Sequence, residues 1–259
     1  MRIQELFDLT GRVAIVTGGG TGLGRQMAEA LAEAGAGLVL CARTAERCEQ
    51  AAAELAQQHG VRALGLGCDV RDQAEIERVV ERATAELGRV DILVNNAGTV
   101  WGAAPEDVPL QGWQKVIDVN LTGAFLFAQS VGRVLIEQGD GGKIVNIASV
   151  AAFRGAPQAA MNAIPYNASK GGIAALTIDL AVKWAPHRIN VNAIAPGWFP
   201  SDMSAETLAA GGNLHLARIP LGRYGGADDL KGAIVFLASA ASDYVTGTTL
   251  VVDGGQMAS

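Results

Sequence analysis

The sequence predicts an α/β fold, one doubly wound parallel sheet with helices on both faces. Three observations lead there. Short apolar runs alternate with longer helical stretches along the chain, the pattern of right-handed βαβ crossovers. The apolar runs are nearly continuous and do not alternate with polar residues, as expected of strands buried on both faces. A glycine-rich stretch, TGGGTGLG at 17–24, separates the first apolar run from the first helical one. The 259 residues are 49% hydrophobic, enough for a sizeable core, and no linker divides them. Residues 1–259 are therefore read as one domain.

VAIVTG (13–18) is read as the first strand and GRQMAEALAEAG as its crossover helix. GLVLCAR (37–43) leads into TAERCEQAAAELAQQHG, and ALGLGCDV (63–70) into DQAEIERVVERATAELG. Four more strands follow: DILVNNAG (91–98), GKIVNIAS (142–149), INVNAIAPG (189–197) and TLVVDGG (249–255). Long apolar helices are expected around 111–138 and 166–185, and a late helix at about 226–239. Residues 198–225, rich in Gly, Pro and Ser, are expected to cover a site.

The formal net charge is -6 and the sequence pI is near 5.1, which argues against nucleic acid as the main partner. No apolar run approaches the ~20 residues needed to span a membrane. The N-terminal MRIQELFDLTGR is polar and charged, unlike a secretory signal. Cys41, Cys48 and Cys68 lack metal-ligand spacing and read as reduced thiols. A cytoplasmic protein without a metal site is expected. His59, His187 and His215 are scattered and are assigned no role.

Tyr166 and Lys170 stand one helical turn apart in PYNASK, on one helix face. A tyrosine is ordinarily a weak acid of pKa about 10. An ammonium beside it favours the phenolate and lowers that value. Ser149 ends the run GKIVNIAS and offers a hydroxyl to a substrate oxygen. Such a group suits hydride transfer between a carbonyl and an alcohol. The glycine turn has a strand before it and a helix after it, the context a dinucleotide site requires. Gly18, Gly22, Leu23 and Gly24 would let the backbone approach a pyrophosphate at a helix N-terminus. The second strand ends in Cys41-Ala42-Arg43, with no acid for ribose hydroxyls. Arg43 suits a 2′-phosphate, favouring NADP(H) over NAD(H); the plain alternative is a solvated arginine. Asp69, followed by Val70, either meets the adenine or caps the next helix. Asn96, Ala97 and Gly98 either floor the nicotinamide half or form a tight turn. Trp101, Phe153, Met161, Trp198, Phe199 and Met203 fall beside motif ends and are read as an apolar substrate pocket.

TGGGTGLG, CDV, NNAG, VNL, Ser149, YNASK, NAIAPG and the terminal VVDGG occur in this order. Together they resemble the short-chain dehydrogenase/reductase family over about residues 8–255. The resemblance implies a Rossmann-type domain, usually a homotetramer or dimer, and a catalytic set of Asn120, Ser149, Tyr166 and Lys170. It implies that Tyr166 donates the proton and that Lys170 binds the nicotinamide ribose and lowers the tyrosine pKa. It also implies that Asn120 holds a water relaying protons to Lys170. Pro196, Gly197 and Ser201 fall where the family meets the nicotinamide carboxamide. There are two departures. The interval from Ser149 to Tyr166 is longer than usual, and the glycine turn lacks the basic residue of many NADP(H)-preferring relatives. Within the family, 3-oxoacyl-thioester reductases and gluconate or polyol dehydrogenases are the nearest in pattern. Apolar pocket residues favour an NADPH-dependent reductase of a 3-oxoacyl thioester or related ketone, with Arg133 and Arg188 as a candidate carrier-binding patch. The alternatives are a sugar-acid or polyol dehydrogenase and a non-catalytic cofactor-binding regulator.

Overall fold

Seven strands form one sheet: β1 (Val13–Thr17), β2 (Gly37–Ala42), β3 (Ala63–Gly67), β4 (Ile92–Asn95), β5 (Gly142–Ile147), β6 (Ile189–Pro196) and β7 (Thr249–Val252). The computed structural model describes residues 1–158, 161–205, 208 and 213–259. Every pairing is parallel, in the order β3-β2-β1-β4-β5-β6-β7. The order reverses between β1 and β4, which opens a crevice at the strands' carboxyl ends. This is the expected Rossmann-type fold.

The helices are α1 (Ile3–Phe7), α2 (Gly22–Glu33), α3 (Ala45–His59), α4 (Gln73–Leu87), α5 (Leu110–Ile117), α6 (Gly123–Gln138), α7 (Ile164–Trp184), α8 (Asn213–Leu216) and α9 (Lys231–Ala238). All five residues of β1 are buried, so its two faces feed two cores. Ala14 and Val16 pack with Met27 and Leu31 of α2, Leu55 of α3 and Leu237 of α9. Ile15 packs on the other face with Ile76 and Val80 of α4, Phe127 of α6 and Leu180 of α7. Phe127 is fully buried, a contribution of about 1.5–3 kcal/mol.

Several boundaries differ from expectation, each for a tertiary reason. β4 stops at Asn95 because the N–H groups of Asn96 and Ala97 donate to the Thr17 hydroxyl, at 3.0 and 2.9 Å. The late helix starts at Lys231 instead of near 226. Ahead of it the Asp229 carboxylate accepts from the Gly226 N–H at 2.7 Å and from Arg223, which holds a turn. Residues 110–138 are helical throughout but pass through a π turn, Asp118–Thr122, closed by an i→i+5 bond from the Gly123 N–H to the Asp118 carbonyl. Within that 29-residue helix one 18-residue window, of mean hydropathy 1.3, is apolar enough by length and composition to cross a membrane, and 44% of that window is buried. The helix is not one continuous apolar run, since Lys115, Asp118, Asn120 and Arg133 interrupt it. Phe127, Val131 and Leu135 within it are buried against the sheet.

Candidate active site

Ser149 lies just past the end of β5. Its hydroxyl accepts the Ala151 N–H at 3.1 Å and so caps a single turn, Val150–Ala152. The same hydroxyl lies near enough to the Tyr166 hydroxyl to oppose the rise of the tyrosine pKa. Pro165 sits in the first turn of α7, where its missing N–H is harmless, and Tyr166 follows it. Lys170 is buried, and its Nζ donates to the Ile147 carbonyl at 2.5 Å. That ammonium is 5.6 Å from the centre of the Tyr166 ring. Burial pushes Lys170 down to about 8. Burial also raises the Tyr166 pKa, with the Ser149 hydroxyl pulling the other way. The expectation that Lys170 lowers the tyrosine pKa is thus corrected: the ammonium turns to a carbonyl and desolvation of the phenol dominates.

Asn120 occupies the π turn and is buried. Its Oδ1 accepts the Thr99 N–H at 2.7 Å, and its Nδ2 donates to the Thr99 carbonyl and the Ser169 hydroxyl, both at 3.0 Å. Ser169 in turn donates to the Tyr166 carbonyl at 2.7 Å. Asn120 therefore braces the loop after β4 against the helix carrying Tyr166, and its side chain does not line the cavity described below.

The glycine turn lies across the switch point. Gly18 and Gly22 have φ of +65° and +53°, a region that favours glycine. A Cβ on Gly24 would stand 2.2 Å from the Gly18 carbonyl oxygen. The Asn96 amide donates to the Thr17 and Gly18 carbonyls at 2.9 and 3.3 Å, which lashes the end of β4 to the turn. The backbone is thus bare and rigid where a dinucleotide pyrophosphate would lie, at the N-terminus of α2.

A cavity of about 490 Å³ runs along these carboxyl ends. Ser149, Tyr166 and Lys170 line it, as do Gly18, Gly22, Leu23, Gly24 and Arg43 at one end. Asn96, Ala97, Gly98, Pro196, Gly197 and Ser201 line it too, with Met161, Trp198, Phe199 and Met203. Arg43 is exposed at its rim. Five expected residues lie elsewhere. Asp69 is engaged by the Arg71 guanidinium, with contacts of 2.6–3.1 Å that hold its carboxyl below the usual range. The cap of α4 is Asp72, not Asp69. Val70 is core, packed against Gly123. Trp101 covers Gly112 under the Lys115 ammonium, which is 5.6 Å from its ring centre. Phe153 is 46% exposed and lies outside the cavity. The fifth is Asn120. Arg188 precedes β6, at the opposite end of the sheet, and Arg133 on α6 pairs with Glu77; neither lines the cavity. Of the expected cover 198–225, residues 206, 207 and 209–212 lie outside the described residues.

Six polar residues not expected from the sequence also line the cavity: Arg154, Asn167, Asp202, His215, Arg218 and Gln256. His215 is buried, its ring 4.2 Å from that of Trp198. Adjacency offered a signal for Arg154, just past Ser149, and for Asn167, next to Tyr166.

Residues 18–257 match the family model described as Enoyl-(Acyl carrier protein) reductase. A short-chain type dehydrogenase/reductase from Mycobacterium marinum is 39% identical, with full coverage of both chains and a TM-score of 0.95. The chain belongs to the short-chain dehydrogenase/reductase family. As a member it is an oxidoreductase acting on alcohol and ketone groups. Among its relatives, the 2-dehydro-3-deoxy-D-gluconate 5-dehydrogenase of Dickeya dadantii is 43% identical over 99% of both chains. A 3-oxoacyl-acyl-carrier-protein reductase of Aquifex aeolicus is 36% identical over 95% of this chain and 98% of its own. A gluconate 5-dehydrogenase of Burkholderia cenocepacia, solved in complex with NADP and tartrate, is 38% identical with a TM-score of 0.93 over both whole chains.

Proposed function

We propose that this short-chain dehydrogenase/reductase uses NADP(H) to interconvert a secondary hydroxyl and a ketone on a sugar acid. The observation that carries this reading is the polar part of the lining: the cavity of Ser149 and Tyr166 is shared by Arg154, Arg218, Asn167 and Gln256. Such a lining suits a short polyhydroxy acid. The relative from Dickeya dadantii, named for a sugar acid, supports it.

Gly18, Gly22, Leu23 and Gly24 would hold the pyrophosphate, and Arg43 the 2′-phosphate. No acid ends β2 to favour NAD(H) instead, although NAD(H) use at lower efficiency fits the same cradle. Asn96, Ala97, Gly98, Pro196, Gly197 and Ser201 would surround the nicotinamide end. The bound nicotinamide supplies or accepts the hydride. The Ser149 and Tyr166 hydroxyls hold the substrate oxygen, and Tyr166 donates the proton in reduction or takes it in oxidation. Lys170 would hold the nicotinamide ribose, and Asn120 would position α7. The whole chain would act as one domain, with the described residues of 198–225 at the substrate end. Trp198, Met203 and Arg218 already line the cavity from that segment.

We also propose a homo-oligomer, a tetramer or a dimer. Ile178 and Val182 of α7 are 56% and 72% exposed, and Phe125 and Ile136 of α6 are exposed as well. The three cysteines are free and buried, which suits a reducing cytoplasm.

A 3-oxoacyl-thioester reductase is the second reading, favoured by Met161, Trp198 and Met203 in the lining. NADPH turnover with a panel of sugar-acid ketones and 3-oxoacyl thioesters separates the two. A sugar acid preferred by tenfold or more in kcat/KM is expected; the reverse order would replace the first reading by the second.

A further inference from the structure

We propose that Arg154 binds the substrate's carboxylate and that Gln256 receives one of its hydroxyls, so that the C-terminal segment forms one wall of the specificity site. The assignment rests on the sugar-acid reading above.

Arg154 follows the turn capped by Ser149 and lines the same cavity as the Tyr166 hydroxyl. Its side chain is part-buried. One Nη1 hydrogen bond, at 2.6 Å, goes to the Gln256 carbonyl. Among the described residues Arg154 makes no ion pair. Arg43, Lys170, Asp202 and Arg218 are the other charged groups lining the cavity, and among the described residues Asp202 forms no ion pair with Arg154 or Arg218. A part-buried guanidinium with a single carbonyl acceptor and a cavity before it lacks its counter-charge. A carboxylate fits it through the remaining N–H groups in a two-point contact.

Gln256 supplies the second observation. It is 6% exposed, lines the cavity, and its Oε1 accepts no hydrogen bond. Asn167, next to Tyr166, shows the same orphan at Oδ1 on the same cavity. Buried acceptors left unpaired are costly. Terminal amide torsions are broad wells, so either amide can turn to meet a donor. A polyhydroxy chain carries such donors along its length, whereas an acyl chain has none to offer. Arg154 at one end and Tyr166 at the other would then fix which carbon of the sugar acid reaches the reacting hydroxyls.

The test compares kcat/KM for D-gluconate and D-gluconamide, its neutral primary amide, with NADP+. Wild type should prefer the acid. Arg154→Met should cut the gluconate value by about ten- to a hundredfold, mainly through KM, and leave gluconamide within about threefold. Arg154→Lys should restore part of the acid preference. Gln256→Leu should lower both substrates together by about tenfold, since it removes a hydroxyl partner and no charge. If Arg154→Met lowers both substrates equally and leaves the acid-to-amide ratio as in wild type, Arg154 only ties down the C-terminal segment and the proposal falls. A wild type idle on D-gluconate and on 2-dehydro-3-deoxy-D-gluconate would instead overturn the sugar-acid reading, and this proposal with it.

Discussion

Arg43 stands exposed at the cavity rim, where its charge acts weakly on the Asp69 carboxylate but makes no close ion pair among the described residues. A 2′-phosphate held there gains hydrogen bonds to a charged group, worth roughly 1.5–3 kcal/mol. Arg43→Ala should therefore weaken NADPH by about one to two powers of ten and leave NADH nearly unchanged. Titrating both cofactors against both proteins checks it, and equal losses would mark Arg43 as a surface residue. Lys170 makes a different statement. Burial lowers its pKa from the ordinary 10.5 to about 8. The unfolded chain thus binds more protons than the folded one between those two values, and stability rises with pH across that window. Below it the fold carries a buried ammonium at a cost. Lys170→Met removes that cost, so the cofactor-free variant should unfold at neutral pH with about 1–3 kcal/mol more free energy than wild type. The gain should fade as pH rises from 8 to 10.5. Urea melts at the two ends of this range decide, and a gain independent of pH would mean that burial of the charge is not the cause.

At the scale of elements, the turn between β1 and α2 is the least tolerant. A Cβ on Gly24 meets backbone at 2.2 Å, and backbone cannot yield as a side chain can. Gly24→Ala should open the turn and cost NADPH affinity by about tenfold or more, since displacements near 1 Å at a binding site are expensive. Isothermal titration would show it; undiminished affinity would mean that the turn does not hold the pyrophosphate. The strands were legible because a continuous apolar run has few other fates, and all seven expected runs lie in the sheet. The glycine turn, Ser149, Tyr166 and Lys170 were legible because their spacing is local. What escaped depends on distant partners. β4 ends where Thr17, on another strand, takes the N–H groups of Asn96 and Ala97. The Arg154–Gln256 contact spans 102 residues, and no local pattern announces it. Trp101 and Phe153 were misplaced for the converse reason: they neighbour motifs in the chain, but Trp101 packs on Gly112 and Phe153 faces solvent.

The whole molecule leaves Ile178 and Val182 uncovered on α7, an apolar face that suits a second copy of the chain. Light scattering at micromolar concentration should give a dimer or tetramer mass, and Ile178→Glu with Val182→Glu should shift it toward the monomer. A monomeric wild type would remove the oligomer proposal without touching the site. The chemistry is tested elsewhere. Sheet order, glycine turn and the pair of hydroxyls converge on one claim: Tyr166 moves the proton while a nicotinamide dinucleotide exchanges the hydride. The most direct measurement is cofactor absorbance during turnover of NADP+ with a sugar acid, by wild type and by Tyr166→Phe. Wild type should form NADPH, and faster as pH rises, because oxidation needs the deprotonated tyrosine and burial holds its pKa up. The phenylalanine variant should bind NADPH as wild type does, with kcat lower by about a hundredfold or more. A variant that keeps more than about a tenth of the wild-type kcat would contradict the account.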